Sequence, residues 1–191
     1  LVPPPSLRSN ASLRPSQSLP GLNVKVPPDA VWVADVGQNQ IWSARSYALE
    51  RGRFLTSGGM GTMGYAIPAA CGAKLACPKR EVVAVCGDGA FQMEMMELAT
   101  ICQNRIPIKI VLMNNCRLGM VRELQDRQYG GNETAVSLDG NPDFIRLAQA
   151  YGIPARRITE DPEIMDAIDE MLETDGPFLL ECAVSPAEST L

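Results

Sequence analysis

A carboxylate and an amide each follow an apolar segment of strand length. Asp88 lies between Gly87 and Gly89 after one such segment, and Asn115 ends another segment 27 positions later. Because parallel strands of one sheet end at the same edge, we expect the two side chains to meet there. Carboxylate and amide oxygens suit Mg²⁺, which usually shares its coordination shell with substrate phosphates. The spacing therefore predicts a divalent metal ion that holds a diphosphate.

The turn after Asn115 is expected to complete the metal site with a backbone carbonyl, at Arg117. Gly89 and Ala90 are expected at a helix N-terminus, where free N–H groups and the helix dipole favour a phosphate. Gly-Asp-Gly and Asn-Asn are each common structural turns when they occur alone. Their combination, with a helix between them, favours the interpretation as a binding site.

Alternating strand-like and helix-like segments are expected to position these residues. Apolar strands are predicted at 31–36, 53–57, 81–86, 107–113 and 178–184, and helices at 38–50, 62–76, about 88–104, 141–152 and 161–175. Asn141 and Asp161 each precede a proline, which is the order of an N-cap followed by proline at the first helical position. The pattern predicts an α/β fold with a doubly wound, mainly parallel sheet and helices on both faces.

Residues 1–28 differ in composition from the rest of the chain. They contain seven prolines, five serines, three basic residues and no acidic residue. This composition predicts a linker or poorly folded arm over 1–28, followed by one binding domain over 29–191.

Charge and residue usage exclude several classes of function. The net charge is −5, so no nucleic-acid partner is expected, and the apolar runs are too short for a membrane span. The chain has no histidine, which excludes Ser-His-Asp and Cys-His catalysis by its own residues. Six cysteines without C-x-x-C pairs indicate small buried hydrophobic residues in a reducing compartment, the cytoplasm.

Several stretches resemble one enzyme family, the acetolactate synthase (acetohydroxyacid synthase) large subunits. Gly87-Asp88-Gly89 with Asn114-Asn115 is similar to the motif that binds thiamine diphosphate (ThDP). The stretches 35–40, 56–64, 118–121 and 188–191 are similar to the C-terminal domain of these subunits. The resemblance covers residues 29–191 and implies a ThDP-binding fold that holds Mg²⁺ and the diphosphate.

The resemblance implies a role for individual residues. Gln38 and Asn39 would contact the diphosphate, and Gly61 and Met63 would contact the aminopyrimidine through their backbones. The Met63 side chain would bend the cofactor, which makes it the predicted catalytic residue. The other implied cofactor contacts are Gly87, Gly89, Ala90 and Met120, and the implied metal ligands are Asp88, Asn115 and Arg117.

Four further residues are interpreted as structural. Trp32 and Trp42 are expected in the core, and Glu94 and Glu97 are expected to face solvent or a neighbouring domain.

The resemblance also implies a reaction and partners. Acetolactate synthases decarboxylate pyruvate and condense the enamine with a second 2-oxo acid, pyruvate or 2-oxobutyrate, in branched-chain amino acid biosynthesis. A pyrimidine-binding domain of a partner subunit would supply an activating glutamate, and a central domain would carry FAD. A homodimer or tetramer and a regulatory subunit are also implied. The chain by itself is expected to hold the diphosphate loosely and to be inactive.

Two alternatives remain open from the sequence. The chain can be the corresponding part of another ThDP enzyme, such as a 2-oxo acid decarboxylase or a pyruvate oxidase. It can also be a non-catalytic module that binds a phosphorylated ligand.

Overall fold

Six parallel strands form the centre of the structure, a computed structural model that describes residues 13–190. The strands are β1 Val31–Ala34, β2 Arg53–Thr56, β3 Val82–Gly87, β4 Lys109–Asn114, β5 Ala155–Ile158 and β6 Phe178–Ala183. Their order in the sheet is β2-β1-β3-β4-β6-β5, and every neighbouring pair is parallel. β1, β4 and β6 are buried along their whole length, which explains their continuous apolar sequences.

Helices cover both faces of the sheet. They are α1 Pro15–Lys25, α2 Gln38–Ser46, α3 Ala66–Ala76, α4 Asp88–Glu94, α5 Glu97–Asn104, α6 Gly119–Gln128, α7 Phe144–Ala150 and α8 Ile164–Glu173. Buried residues of α1, α2 and α8 pack with Val83 and Val85 of β3, whereas those of α3, α4, α5 and α7 pack with Val82 and Ala84. The predicted doubly wound α/β fold is thereby confirmed. Between residues 13 and 190, no helix has the length and apolar character that crossing a membrane requires.

Helix α1 corrects the prediction of a linker or arm over 1–28. Leu19 and Leu22 are buried against the sheet, and Lys25 pairs with Asp169 of α8 at 2.7 Å. Pro15 occupies the start of the helix, where its missing N–H costs no hydrogen bond. Residues 15–25 therefore belong to the folded domain, and residues 1–12 of the predicted arm lie outside the described residues.

Strand β5 was not predicted from the sequence. It pairs with β6 at the edge of the sheet and is only half-buried over most of its length. Arg156 and Arg157 interrupt its apolar sequence. They are tolerated there because an edge strand pairs with only one neighbour and needs only one covered face.

Several helix boundaries differ from the predicted ones. The helix predicted over 88–104 is two helices. At the junction, the carbonyls of Met95 and Met96 accept i+3 hydrogen bonds, which form a tighter turn than the i+4 bonds of an α-helix. Helix α3 begins at Ala66 rather than at 62.

The two predicted Asx-Pro helix starts are also shifted. Asp143, not Asn141, caps α7 by accepting hydrogen bonds from the N–H groups of Ile145 and Arg146. Asp161 starts a short 3-10 turn, Asp161–Glu163, that precedes α8. The side chain of Asn141 is engaged in a more distant contact, described below.

Candidate functional site

The candidate site lies at the carboxyl edge of the sheet, beside β1, β3 and β4. β1 and β3 are neighbours, but the helices that follow them, α2 and α4, pack on opposite faces. This arrangement is a topological switch point, where doubly wound sheets open a crevice for ligands. A cavity of about 140 Å³ occupies it and is lined by residues that follow these three strands, including parts of α2 and α6, together with Met63 from the loop after β2.

Asp88 and Asn115 meet at this edge, as the sequence predicts. The register pairs Gly87 of β3 with Met113 of β4, so the chain leaves both strands at the same level. The backbone N–H of Asn115 donates to the Asp88 carboxyl group. Both residues line the cavity.

The environment of Asp88 suits a cation. The residue is 1% exposed, and its donors are neutral: Asn141 Nδ2 at 2.7 Å and the backbone N–H groups of Gly89 and Asn115. Burial raises the pKa of Asp88 to about 7, although these hydrogen bonds act in the opposite direction. A buried carboxylate without a positive partner is costly, and a divalent ion at the cavity would remove that cost. The oxygen atoms available as metal ligands at this site therefore fit Mg²⁺.

Asn141 is a site residue that sequence reasoning missed. Its Nδ2 donates to Asp88, and its Oδ1 accepts from Gln92 Nε2 at 2.8 Å. It thus holds the Asp88 carboxyl from a loop 53 positions along the chain. The Asn-Pro order predicts a helix start, and nothing in the local sequence distinguishes that role from the contact with Asp88.

Gln38 and Asn115, predicted as separate contacts to the diphosphate and the metal, contact each other. Asn115 Nδ2 donates to Gln38 Oε1 at 2.8 Å, and Gln38 Nε2 donates to Glu123 Oε1 at 2.6 Å. Asn115 Oδ1 accepts from the Arg117 N–H at 3.1 Å, which leaves one of its lone pairs for a metal ion. Because Gln38 engages Asn115, it must rearrange before it can reach a diphosphate.

Glu123 is a second residue that the sequence did not indicate. It is buried on α6 and accepts hydrogen bonds from Gln38 and from the N–H and Oγ1 of Thr190. Burial acts to raise the pKa of Glu123, but the hydrogen bonds from Thr190 and Gln38 outweigh it and lower the pKa. These bonds fasten the segment 188–190 beside the cavity, where Trp42 Nε1 also donates to the Ser189 carbonyl at 3.3 Å.

Asn39 is buried and connects three elements. Its Nδ2 donates to the carbonyls of Asp35 and Val85, at 2.9 and 3.2 Å, and so ties the start of α2 to β1 and β3. Asn39 lines the cavity beside Gly87. Its Oδ1 would lie 3.3 Å from a Cβ at Gly87, so the two residues are close together. The contact of Asn39 with a diphosphate remains a prediction.

The other wall of the cavity is apolar. Met63, Leu118 and Met120 line it together with Gly89 and Ala90 at the start of α4. A Cβ at Gly89 would lie 2.6 Å from Leu118 Cδ2 and 3.5 Å from Met63 Cε, so a side chain there would require Leu118 to move. The cavity is thus polar beside Asp88 and apolar beside Met63.

Two predicted residues are placed differently from the rest. Gly61 is exposed in a turn with φ of 64°, its N–H donates to the Ser57 carbonyl, and it is not among the residues that line the cavity. Arg117 Nη1 donates to both carboxylate oxygens of Glu133, at 2.7 and 2.9 Å, while the Arg117 backbone N–H donates to Asn115 Oδ1. The role predicted for Arg117 concerns only its carbonyl, and it remains a prediction.

The expectation that Glu94 faces solvent or a neighbouring domain is wrong, because Glu94 is buried within this domain. It is 3% exposed, because the short helix α4 directs it toward the start of α3. Glu97 is half-buried and accepts a hydrogen bond from Thr100 Oγ1 at 2.8 Å. Trp32 and Trp42 are in the core, as expected, and Trp42 also lines the cavity.

Known proteins are similar to this chain in sequence. Residues 35–182 match the family model described as "Thiamine pyrophosphate enzyme, C-terminal TPP binding domain". The chain is 43% identical over 169 residues to the acetolactate synthase isozyme 2 large subunit of Escherichia coli K12, covering 88% of the chain and 31% of that protein. It is 42% identical over 168 residues to a probable acetolactate synthase large subunit of Methanococcus aeolicus, covering 87% of the chain and 28% of that protein.

A solved structure agrees with this assignment. The ThDP-dependent 4-hydroxybenzoylformate decarboxylase of Rhodococcus jostii RHA1 superposes with a TM-score of 0.84 at 28% identity, covering 94% of the chain and 34% of that protein. The chain thus spans about a third of the length of the proteins it matches. From the matched motif residues and the fold together, the chain belongs to the family of C-terminal thiamine pyrophosphate-binding domains of thiamine pyrophosphate enzymes.

Proposed function

We propose that this chain holds ThDP and Mg²⁺ as the cofactor-binding part of an acetolactate synthase catalytic subunit. The observation that carries the metal is the buried Asp88, whose hydrogen-bond donors are all neutral and which lies against Asn115 at the switch point of the sheet. The sequence similarity to acetolactate synthase large subunits supports the choice of enzyme within the ThDP class.

The contrast between the polar and the apolar wall of the cavity supports this proposal. Asp88, Asn115 Oδ1 and the Arg117 carbonyl would hold Mg²⁺, and the N–H groups of Gly89 and Ala90 would donate to the diphosphate. Gln38, Asn39 and the backbone of Gly87 would complete the polar wall.

The apolar wall would hold the rings of the cofactor. Met63 and Met120 would contact them, with Gly61 contributing only through its backbone. When bound, ThDP supplies the electron sink that decarboxylation of a 2-oxo acid requires. The chain's own residues would orient the cofactor and exclude water around it.

The proposal extends to the whole enzyme, of which the chain spans about a third. A pyrimidine-binding domain of a partner subunit would supply the activating glutamate, and a central domain would hold FAD. The assembly would be a cytoplasmic homodimer or tetramer with a regulatory subunit, acting on pyruvate and 2-oxobutyrate. The chain alone would bind ThDP weakly and show little activity.

Titration with ThDP tests the cofactor assignment. Trp42 lines the cavity, so its fluorescence should change on binding. We expect binding that requires Mg²⁺ and that weakens at least about tenfold in Asp88→Asn, since losing a ligand costs at least as much as losing an outer-sphere partner. Asp166→Asn, an exposed acid on α8, is the matched control and should bind as the wild type does. Binding that ignores Mg²⁺ would instead support a non-catalytic module.

A product assay separates the two catalytic candidates. The structural likeness to a 2-oxo acid decarboxylase favours simple decarboxylation as the second candidate. The chain would be combined with the pyrimidine-binding and central domains of an acetolactate synthase large subunit and given pyruvate. Acetolactate as the product supports the proposed function, whereas acetaldehyde supports the decarboxylase.

A further inference from the structure

A buried carboxyl group anchors the turn that carries Met63. Asp35, directly after β1, is fully buried and accepts hydrogen bonds from the N–H groups of Gly64 at 3.1 Å, Tyr65 at 2.9 Å and Ala66 at 2.7 Å. These groups immediately follow Met63 and lead into α3. One side chain therefore fixes the backbone on which Met63 is mounted.

A second buried carboxyl group lies beside the first. Glu94, the last residue of α4, accepts a hydrogen bond at Oε2 from the N–H of Ile67 at 3.1 Å, one residue beyond the donors to Asp35. The Asp35 and Glu94 carboxyl groups accept hydrogen bonds from the consecutive N–H groups of Ala66 and Ile67, which places them side by side. Glu94 Oε1 is buried and, within residues 13–190, receives no hydrogen bond. Two ionised carboxylates cannot hydrogen-bond to each other, because neither carries a proton to donate. A proton on Glu94 would allow that hydrogen bond.

Two acidic groups act on Glu94 through their charge. Asp35 faces it from the loop after β1 and Glu97 from α5, while the thiols of Cys71 on α3 and Cys86 on β3 are the other titratable groups nearby. Burial first, and then the charge of Asp35, raise the pKa of Glu94 to about 9. Two adjacent buried carboxyl groups with no cation between them do not both ionise at neutral pH.

We propose that Glu94 is a neutral carboxylic acid that donates its proton in a hydrogen bond to the Asp35 carboxylate, and that this acid pair positions Met63. Glu94 is a positioning residue, because it acts on Met63 only through the turn at Gly64–Ile67. The link from this acid pair to cofactor binding rests on the proposed function, whereas the acid pair itself does not.

The contacts around the turn make this coupling direct. A Cβ at Gly64 would lie 3.2 Å from Met93 Cβ, so α4 and the turn are already in close contact. Met63 Cε lies on the opposite side, 3.5 Å from the Cβ position of Gly89. When Glu94 loses its proton to solvent, two buried carboxylates repel each other at the base of this turn, and Met63 must shift relative to Gly89.

The protonation state can be tested without any cofactor. Infrared spectra of the wild-type chain should contain a protonated carboxylic acid band that disappears with a midpoint near pH 9, above the pKa of Asp88, which is about 7. Glu94→Gln should lack this band. Glu97→Gln is the matched control, from the adjacent helix, and should keep the band. Absence of the band from the wild type at neutral pH would overturn the proposal.

Methyl NMR tests the positioning of Met63. In a chain with labelled methionine methyl groups, the Met63 resonance should titrate together with the infrared band, while that of Met171, buried on α8, should not. In Glu94→Gln, which keeps the shape and removes the charge, the Met63 resonance should stay constant over the same range. A Met63 titration that persists in Glu94→Gln, or is absent from the wild type, contradicts the coupling.

Cofactor affinity then connects the acid pair to function. The quantity to compare is the ratio of the ThDP dissociation constants of the wild type and Glu94→Gln, measured with Mg²⁺. This ratio should be about tenfold higher at one pH unit above the Glu94 pKa than at neutral pH. An unchanged ratio would refute the functional coupling. If neither form binds ThDP at any pH, the proposed function fails, and the infrared and NMR results still decide the acid pair.

Discussion

At the scale of single residues, the site depends on glycines, which leave room for neighbouring side chains, as well as on its polar residues. Gly119 starts α6 directly beside Gln38, and a Cβ there would overlap Gln38 Oε1 and lie 2.9 Å from Asn115 Nδ2. Gly89 is in close contact with the Leu118 side chain on the apolar wall. A side chain at position 119 would displace Gln38 from its hydrogen bonds with Asn115 and Glu123.

We expect Gly119→Ala to destabilise the chain by about 1–3 kcal/mol. The new methyl group displaces Gln38 and breaks its hydrogen bonds to Asn115 and Glu123, which leaves buried polar groups without partners. Urea denaturation measures the change. Gly140→Ala, at an exposed position with no atom near the new methyl group, should stay within about 0.5 kcal/mol of the wild type. Equal stability of the two variants would contradict this account.

At the scale of elements, α1 completes the layer of helices on one face of the sheet. It packs between α2 and α8, and Arg14 before it pairs with Asp161 at 2.7 Å. The proline and serine content of the segment predicted a linker, but its leucines are spaced to bury one side of a helix. Composition was a poor guide here because a few well-spaced apolar residues outweigh many polar ones when a hydrophobic surface is available.

Leu19→Ala should lower the free energy of unfolding by about 2–5 kcal/mol, because Leu19 is fully buried and its loss leaves a cavity. Val24→Ala in the same helix is the control, since Val24 is 77% exposed, and should change stability by less than about 0.5 kcal/mol. Chemical denaturation measures both. No loss of stability in Leu19→Ala would mean that the segment is not part of the folded core.

At the scale of the whole molecule, buried carboxyl groups make stability depend on pH in two opposite ways. Burial raises the pKa of Glu94 to about 9 and also raises that of Glu181, so the folded chain keeps protons that the unfolded chain releases. Their stabilising effect is complete below the unfolded pKa of 4.5 and is lost as the pH rises toward the folded values. Glu123 and Asp161 behave in the opposite way, because their hydrogen bonds outweigh burial and lower their pKa. These two groups stabilise the folded chain above their unfolded pKa, and this stabilisation is lost as the pH falls.

We therefore expect maximal thermal stability at about pH 5, between these two effects, when Mg²⁺ is absent. Calorimetry over about pH 4 to 9 measures it. The decline above pH 5 should be shallower in Glu94→Gln, by at most about 1.4 kcal/mol per pH unit, because that variant carries no proton to lose. A melting temperature that rises steadily from pH 5 to 8 would contradict this balance of groups.

The sequence by itself determined five of the six strands, the switch from β to α periodicity and the Asp88 and Asn115 positions, because these depend on local apolar patterns and on short motifs. It also placed the chain within its family. The edge strand β5 escaped prediction because one neighbour and partial burial leave only a weak pattern in its sequence.

Only the tertiary structure decided which distant side chains meet. Asn141 reaches Asp88 across 53 positions, and Thr190 reaches Glu123 across 67, through contacts that no local pattern encodes. Glu94 showed the same limit: a glutamate on a short helix is expected in water, and its burial beside Asp35 follows from how α4 packs on α3. Hydrophobic periodicity sets which elements form, whereas the partners of buried polar groups are set by the packing of those elements.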